Sequence, residues 1–488
     1  MKRLRRSYSS NVNRNRSLTL AFLSLSVASI LMSCGGLGKS PTPEPQPDPQ
    51  LNQSVNHIVF MVQENRGFDH YFGKLADYWQ ENGYPTQQFD GLPANASNPM
   101  VDANNNVIGS VNSFHFRTVC MQNMSPGWNE SHVDWNRTDP VNATPMLDGF
   151  VQSAGNFARN TVKNGVTDDM PGGFSDTEGL RAMGYYDGND LNYYYFMASN
   201  FATSDRWFSP IMSRTPPNRL YLLAATSAGH ANPPKQPLSN KTIFEQLETA
   251  GVSWKIYLTD PNTAFLENFQ PFGSQHESKI VKVDPDYYND VKNGTLPSVA
   301  MIEGGYESGL DEHPNQNIQK GAAHVANIIN KLMVSDSWKD TVFILTFDEG
   351  GGFYDHVAPH TGTPTEKPDD LGPMDLNPGT NGQGGDICTT KTGPNCDFVY
   401  TGFRIPLIVI SPFTKKNFVS HTVADYTAIL KLIETRFAVD SLTKRDAAQI
   451  DMTEFFDFAN PPWTTPPPPP DQNLSGVCDY DPTHYGAQ

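Results

Sequence analysis

The sequence predicts an α/β protein with a mainly parallel central sheet and helices on both of its faces. Three observations lead there. Short runs of the chain are continuously apolar rather than alternating, as strands covered on both sides must be. Helix-like segments fall between those runs, and alternation of this kind favours a parallel sheet. From about His57 to Pro461 no second linker and no repeat interrupts the pattern.

The elements follow in order. "HIVFMV" (57–62) is the first strand. "NRLYLLAATSAG" from Asn218 is a helix, and "TIFEQLETAG" from Thr242 is another. "SWKIYL" (253–258) and "SVAMIE" (298–303) read as strands. "AAHVANIINKLMVS" carries an apolar stripe at helical spacing. "TVFILTF" (341–347) and "IPLIVIS" (405–411) complete the strand set. In such folds ligands bind beyond the carboxyl ends of the strands.

The two ends of the chain differ from its body. Lys2, Arg3, Arg5, Arg6, Arg14 and Arg16 precede "LTLAFLSLSVASILMSC", an apolar run too short and Ser-rich for a membrane span. Residues 1–33 are therefore expected to be a signal peptide. Leu31 to Gly35 has the form of a bacterial lipobox, which predicts a lipid anchor on Cys34 and an exported protein, either a cell-envelope lipoprotein or a secreted one. Residues 34–54, with "SPTPEPQPDPQ", read as a Pro-rich tether. The main domain is expected over 55–461 and a Pro-rich tail over 462–488. Four further cysteines suit two disulfides: Cys388 and Cys396 are the local pair, and pairing Cys120 with Cys478 is a guess. A formal charge of −17 argues against nucleic acid, which needs a basic stripe.

Four segments carry chemistry. In "HIVFMVQENRGFDHYFG", Glu64 and Asn65 sit at the end of the first strand, and a carboxylate beside a carboxamide suits a hard divalent cation. "TVFILTFDEGGGFYDHV" repeats the arrangement with Asp348 and Glu349; side by side and buried, these repel, and a cation relieves both penalties. Gly350, Gly351 and Gly352 let the backbone turn and approach a ligand. In "SRTPPNR", two prolines after Thr215 place it at a helix N-terminus, where backbone N–H groups favour an anion. A hydroxyl beside a cation can lose its proton and attack phosphorus. His313 in "DEHP" lies in a loop and could hold a phosphate oxygen or protonate a leaving group. His132 in "NESHVDW" and His356 in "FYDHV" are further candidates.

Taken together, "ENRGFDHYFG", "SDRWFSPIMSRTPPNR", "DEHP", "WKDTVFILTFDEGGGFYDHV", "RIPLIVISPF" and "HTVADYTAILKLIETRF" resemble the phosphoesterase family that holds the non-specific phospholipases C and certain bacterial acid phosphatases. The resemblance runs from about His57 to Phe458. It implies an alkaline-phosphatase-like three-layer core, a single metal-centred site and a covalent phospho-enzyme. It implies Glu64, Asn65, Thr215, Asp348 and Glu349 as metal ligands and Thr215 as nucleophile, with His313, His132 and His356 serving the phosphate or the leaving group. The implied cofactor is a divalent metal ion: calcium, magnesium, manganese or zinc. The implied substrate is a phosphate ester or phospholipid. The family pattern has Ser or Thr where Gly67 stands, a departure expected to affect the loop more than the chemistry. An acid phosphatase acting on monoesters and a non-catalytic surface lipoprotein are the competing readings.

Overall fold

A computed structural model describes residues 49–164, 173–261, 264–361, 387 and 398–487. The expected signal peptide, the lipobox Cys34 and the pair Cys388 and Cys396 lie outside the described residues. From Pro47 onward the chain forms one compact unit.

Its centre is an eight-stranded sheet: β1 (His57–Gln63), β2 (Ala202–Ser204), β3 (Trp254–Leu258), β4 (Ile280–Lys282), β5 (Val299–Glu303), β6 (Thr341–Phe347), β7 (Leu407–Ile410) and β8 (Phe418–Ser420). The order across the sheet is β8-β2-β7-β6-β1-β5-β3-β4. β1 lies at the middle, parallel to β5 on one side and β6 on the other. Only β7 runs against its neighbours. The predicted mainly parallel α/β sheet is what the chain adopts.

The apolar runs explain this placement. Ile58 to Gln63 and the whole of Thr341–Phe347 are buried, so both faces of β1 and β6 are covered. Such strands have no solvent face to spend on polar residues. The five strands legible in the sequence occur within two residues of their expected limits. Of the helices, Ile243–Thr249 is capped by the Thr242 side chain, which accepts from the Glu245 N–H. Ile318–Met333 is capped by Asn317 and turns ten buried residues toward the core. The last residues of the expected tether, Pro49–Ser54, are helical with Leu51 buried. Among the described residues, no helix is long and apolar enough to cross a membrane.

The tail is tied down. Cys120 and Cys478 form a disulfide, the pairing the sequence left as a guess. Val119 N–H donates to the Val477 carbonyl, and Tyr485 is wholly buried.

Candidate active site

Parallel strands deliver their carboxyl ends to one edge of the sheet. β1 runs out at Gln63, and the next two residues are Glu64 and Asn65. β6 runs out at Phe347, followed by Asp348 and Glu349. Because β1 and β6 are neighbours in register, with Gln63 opposite Phe347, the two polar pairs meet. Asn65 N–H donates to Asp348 Oδ1 at 2.8 Å. The Asp348 N–H donates to the Gln63 carbonyl at 3.0 Å.

The loop backbone is shaped for this meeting. Asn65 takes a left-handed conformation, φ 58°, which Asn tolerates better than most residues. Gly351 has φ 70°, and a Cβ there would stand 2.1 Å from the Asn65 carbonyl oxygen. Glycine is therefore required at 351. At Gly67 a Cβ would come 3.2 Å from the Gly350 carbonyl oxygen, so this position also lies where the two loops touch.

Thr215 is the first residue of the helix Thr215–Ala224, with Arg214 at the cap position and prolines in the first turn. Its Oγ1 lies 3.0 Å from Glu64 Oε2 and 3.0 Å from Asn65 Oδ1. One turn along the same helix face, Arg219 Nη2 donates to Glu64 Oε1 at 2.5 Å, and its Nε is 3.6 Å from Asp348 Oδ2. The helix thus brings a hydroxyl and a guanidinium to the same carboxylate, Glu64.

Electrostatics set the remaining requirement. Burial, then the charge of Glu64, pushes Asp348 well above the usual carboxylate range. Burial, then the charge of Asp348, does the same to Glu349. Glu64 is also buried, but Arg219 and the adjoining Asp348 carboxyl outweigh that and hold it below its ordinary value. Asp348 Oδ2 and Glu349 Oε1 are buried with no hydrogen-bond partner. Buried carboxylate oxygens without partners are costly. The donor set is all oxygen, and Thr215, Glu64 and Asn65 turn three oxygens toward one another. Glu64, Asn65 and Asp348 offer the oxygen donors a hard divalent cation takes, while Glu349 turns Oε2 back to the Gly351 N–H.

A cleft of about 320 Å³ opens beside this cluster. Glu64, Thr215, Arg219 and His313 line it, with Asp260, Glu303 and Asp311 among its other walls. The ring of His313 is held by a 2.8 Å contact between Nδ1 and Asn315 Oδ1. Glu303, the last residue of β5, is raised to about 7 by burial against the pull of Arg219. Asp311 is raised to about 7 by burial and then by Glu64. Behind His313, the buried Glu312 accepts from Tyr71 Oη at 2.7 Å and Gln63 Nε2 at 3.1 Å, and also from Tyr194 Oη.

The structure brings Glu64, Asn65, Thr215, Asp348 and His313 together. Glu349 follows Asp348 in the second loop and feels its charge. His132 is fully buried on the helix Trp128–Trp135, its Nδ1–H donating to the Trp128 carbonyl at 2.6 Å; it is not a wall of this cleft. Nor is His356. Its Nδ1 bonds Asp69 Oδ2 at 2.7 Å and its Nε2 bonds Asp90 Oδ1 at 2.9 Å. With both ring nitrogens donating to carboxylates, His356 has none left for a phosphate, contrary to expectation. The residues that sequence reasoning missed are Arg219, Glu303, Asp260 and Asp311. Glu303 had a usable signal, since it ends a predicted strand in the same sheet as Glu64.

Carboxylates, a hydroxyl and a guanidinium gathered at the strand ends of a parallel sheet make this an α/β enzyme with an oxygen-rich, charged cleft. Residues 55–440 match the Phosphoesterase family, and the chain belongs to that family; it is a hydrolase of phosphoric esters. Phospholipase C B of Mycobacterium tuberculosis is 32% identical over 458 residues, covering 84% of this chain and 78% of its own length. Non-specific phospholipase C4 of Arabidopsis thaliana is 29% identical over 428 residues, covering 80% and 70%. Among solved structures, a protein in the alkaline phosphatase superfamily from Vibrio parahaemolyticus aligns over 78% of each chain, with a TM-score of 0.31 and 13% identity.

Proposed function

We propose that this chain is a cation-dependent phosphodiesterase of the phospholipase C type, with Thr215 as nucleophile. One observation carries the reading. A single Thr215 hydroxyl faces two acceptors, Glu64 Oε2 and Asn65 Oδ1, each at 3.0 Å. One proton cannot satisfy both, and loss of that proton would set an alkoxide against a carboxylate. Only added positive charge makes the deprotonated form tolerable.

Glu64, Asn65, Asp348 and Glu349 would hold the cation, which when bound supplies charge that lowers the hydroxyl pKa and offsets the phosphoryl oxygens. Pro216 and Pro217 carry no N–H and the Asn218 N–H donates to the Arg214 carbonyl, so in the first turn of this helix the Thr215 N–H is the backbone donor left for a phosphate oxygen. Arg219 holds Glu64 and keeps it ionised. With its hydroxyl proton released to water, the Thr215 oxygen bonds to phosphorus as the bond from phosphorus to the departing alcohol breaks, and His313 gives that alcohol its proton. Water then cleaves the phospho-threonine, releasing the phosphorylated headgroup and restoring the hydroxyl. Positioning and charge stabilisation supply most of the acceleration.

The cleft favours a diester over a monoester. Above about pH 7, where Glu303 and Asp311 ionise, a monoester dianion brings an extra negative charge beside them, whereas a diester brings one charge only. The names of the mycobacterial and plant relatives agree with this choice. The export and the Cys34 lipid anchor expected from the first 34 residues remain part of the proposal, and would keep the enzyme at a membrane.

The test compares release of choline phosphate from phosphatidylcholine with hydrolysis of an aryl phosphate monoester. The diester should be the better substrate, chelation should abolish its cleavage, and Thr215→Ala should lower kcat at least about a thousandfold. A dominant monoester activity would convert the reading to a phosphatase, and full activity in Thr215→Ala would remove the nucleophile.

A further inference from the structure

His356 sits in a buried network outside the cleft that joins the two loops bearing the carboxylate cluster. Asp69 is four residues beyond Asn65, in the short helix Phe68–Phe72. His356 is seven residues beyond Glu349. The His356 N–H and Nδ1–H both donate to Asp69 Oδ2, at 2.9 and 2.7 Å. On its other side Nε2–H donates to Asp90 Oδ1. Arg404, wholly buried, donates through Nη2 to Asp69 Oδ1 at 3.0 Å and to Asp355 Oδ1 at 2.7 Å. Asp69, Asp355 and His356 lie close enough to hold a metal ion, but the Arg404 guanidinium already supplies the positive charge there.

The two loops are thus pinned at both ends. Near the cluster, Asn65 N–H meets Asp348 and Gly351 packs on the Asn65 carbonyl. At the far end, among the described residues, side chains and the His356 amide tie the helix Phe68–Phe72 to the 355–356 segment. Outer residues that orient ligands commonly contribute ten- to a hundredfold in metal affinity.

We propose that His356 is a positioning residue: through its Nδ1–H bond to Asp69 it fixes the spacing between the Glu64–Asn65 loop and the Asp348–Glu349 loop, and so sets how tightly the cluster holds a divalent cation. The inference rests on reading that cluster as a cation site. It replaces a phosphate-facing role for His356 with an indirect one.

The ring has two nitrogens with different partners, and this makes the idea separable from mere packing. An Asn amide reaches where Nδ1 sits; a Gln amide reaches where Nε2 sits. His356→Asn therefore keeps the side-chain bond between the loops, whereas His356→Gln keeps the bond to Asp90 and loses the side-chain bond to Asp69, leaving the residue 356 N–H as its donor to that carboxylate. Mn2+ binding to the purified protein is followed by loss of the free-ion EPR signal at pH 7. His356→Asn should bind within about threefold of the parent and His356→Gln at least about tenfold more weakly. If both variants bind like the parent, or both are equally weakened, the positioning role is overturned. Glu64→Gln is the control. Should it bind Mn2+ as the parent does, or should the parent bind none, the cation reading fails first and takes this inference with it. If neither His356 variant folds, the acceptors make the same comparison: Asp90→Asn should bind like the parent and Asp69→Asn should not, and the reverse overturns the proposal.

Discussion

At the scale of single residues, what matters is where protons are forced to sit. Thr215 has one proton for two acceptors, while His356 has two donors for two carboxylates. The second case makes a definite statement about pH. Burial disfavours the His356 charge, but the Asp69 carboxylate outweighs it and lifts the ring to about 9. Asp90 and Asp355 add to that lift and Arg404 opposes it. A group raised above its unfolded value near 6.5 stabilises the fold fully below that pH. The stabilisation is lost as pH rises through about 9. The midpoint of urea unfolding should therefore fall between pH 6.5 and 9.5 in the parent, and fall less in His356→Asn, whose side chain cannot ionise. Parallel curves for the two proteins would show that the charge is not a source of stability.

At the scale of elements, the active loops exist because two parallel strands end side by side and a glycine lets their loops touch. Gly351 combines a left-handed φ of 70° with a Cβ position 2.1 Å from the Asn65 carbonyl oxygen. Gly351→Ala should cost about 1–3 kcal/mol of stability and should lower activity by displacing Asn65. Urea unfolding and a diester assay on the same sample check both parts, and unchanged values would mean that the loops have slack. The long strands were legible because burial on both faces leaves a run of apolar residues. β2, β4 and β8 were not, since three residues such as "ATS" or "IVK" are too few to show a period. Glu64, Asn65, Asp348 and Glu349 were legible because each pair follows a legible strand. The Pro-Pro step marked the Thr215 helix in the same way. Arg219 was not read, because its role depends on the phase of that helix and on two distant carboxylates. His356 was read as facing phosphate because nothing local announces Asp90, which lies 266 residues away.

At the scale of the whole molecule, the tail reaches back to the loop that carries His313. Tyr480 Oη donates to the Asn315 carbonyl at 2.7 Å, and Asn315 Oδ1 is the partner of His313 Nδ1. The Cys120–Cys478 bond holds this tail two residues from Tyr480. Reduction, or Cys478→Ser, should lower stability by about 2–5 kcal/mol, read from urea unfolding with and without reductant. An unchanged midpoint would show that the tail's hydrogen bonds and the buried Tyr485 suffice alone. The separation of 358 residues between the two cysteines also imposes a timetable. The bridge cannot close until synthesis has passed Cys478, by which point every strand of the sheet has been made. The outer brace behind His313 is therefore closed by a chemical event that can only follow synthesis of the whole sheet.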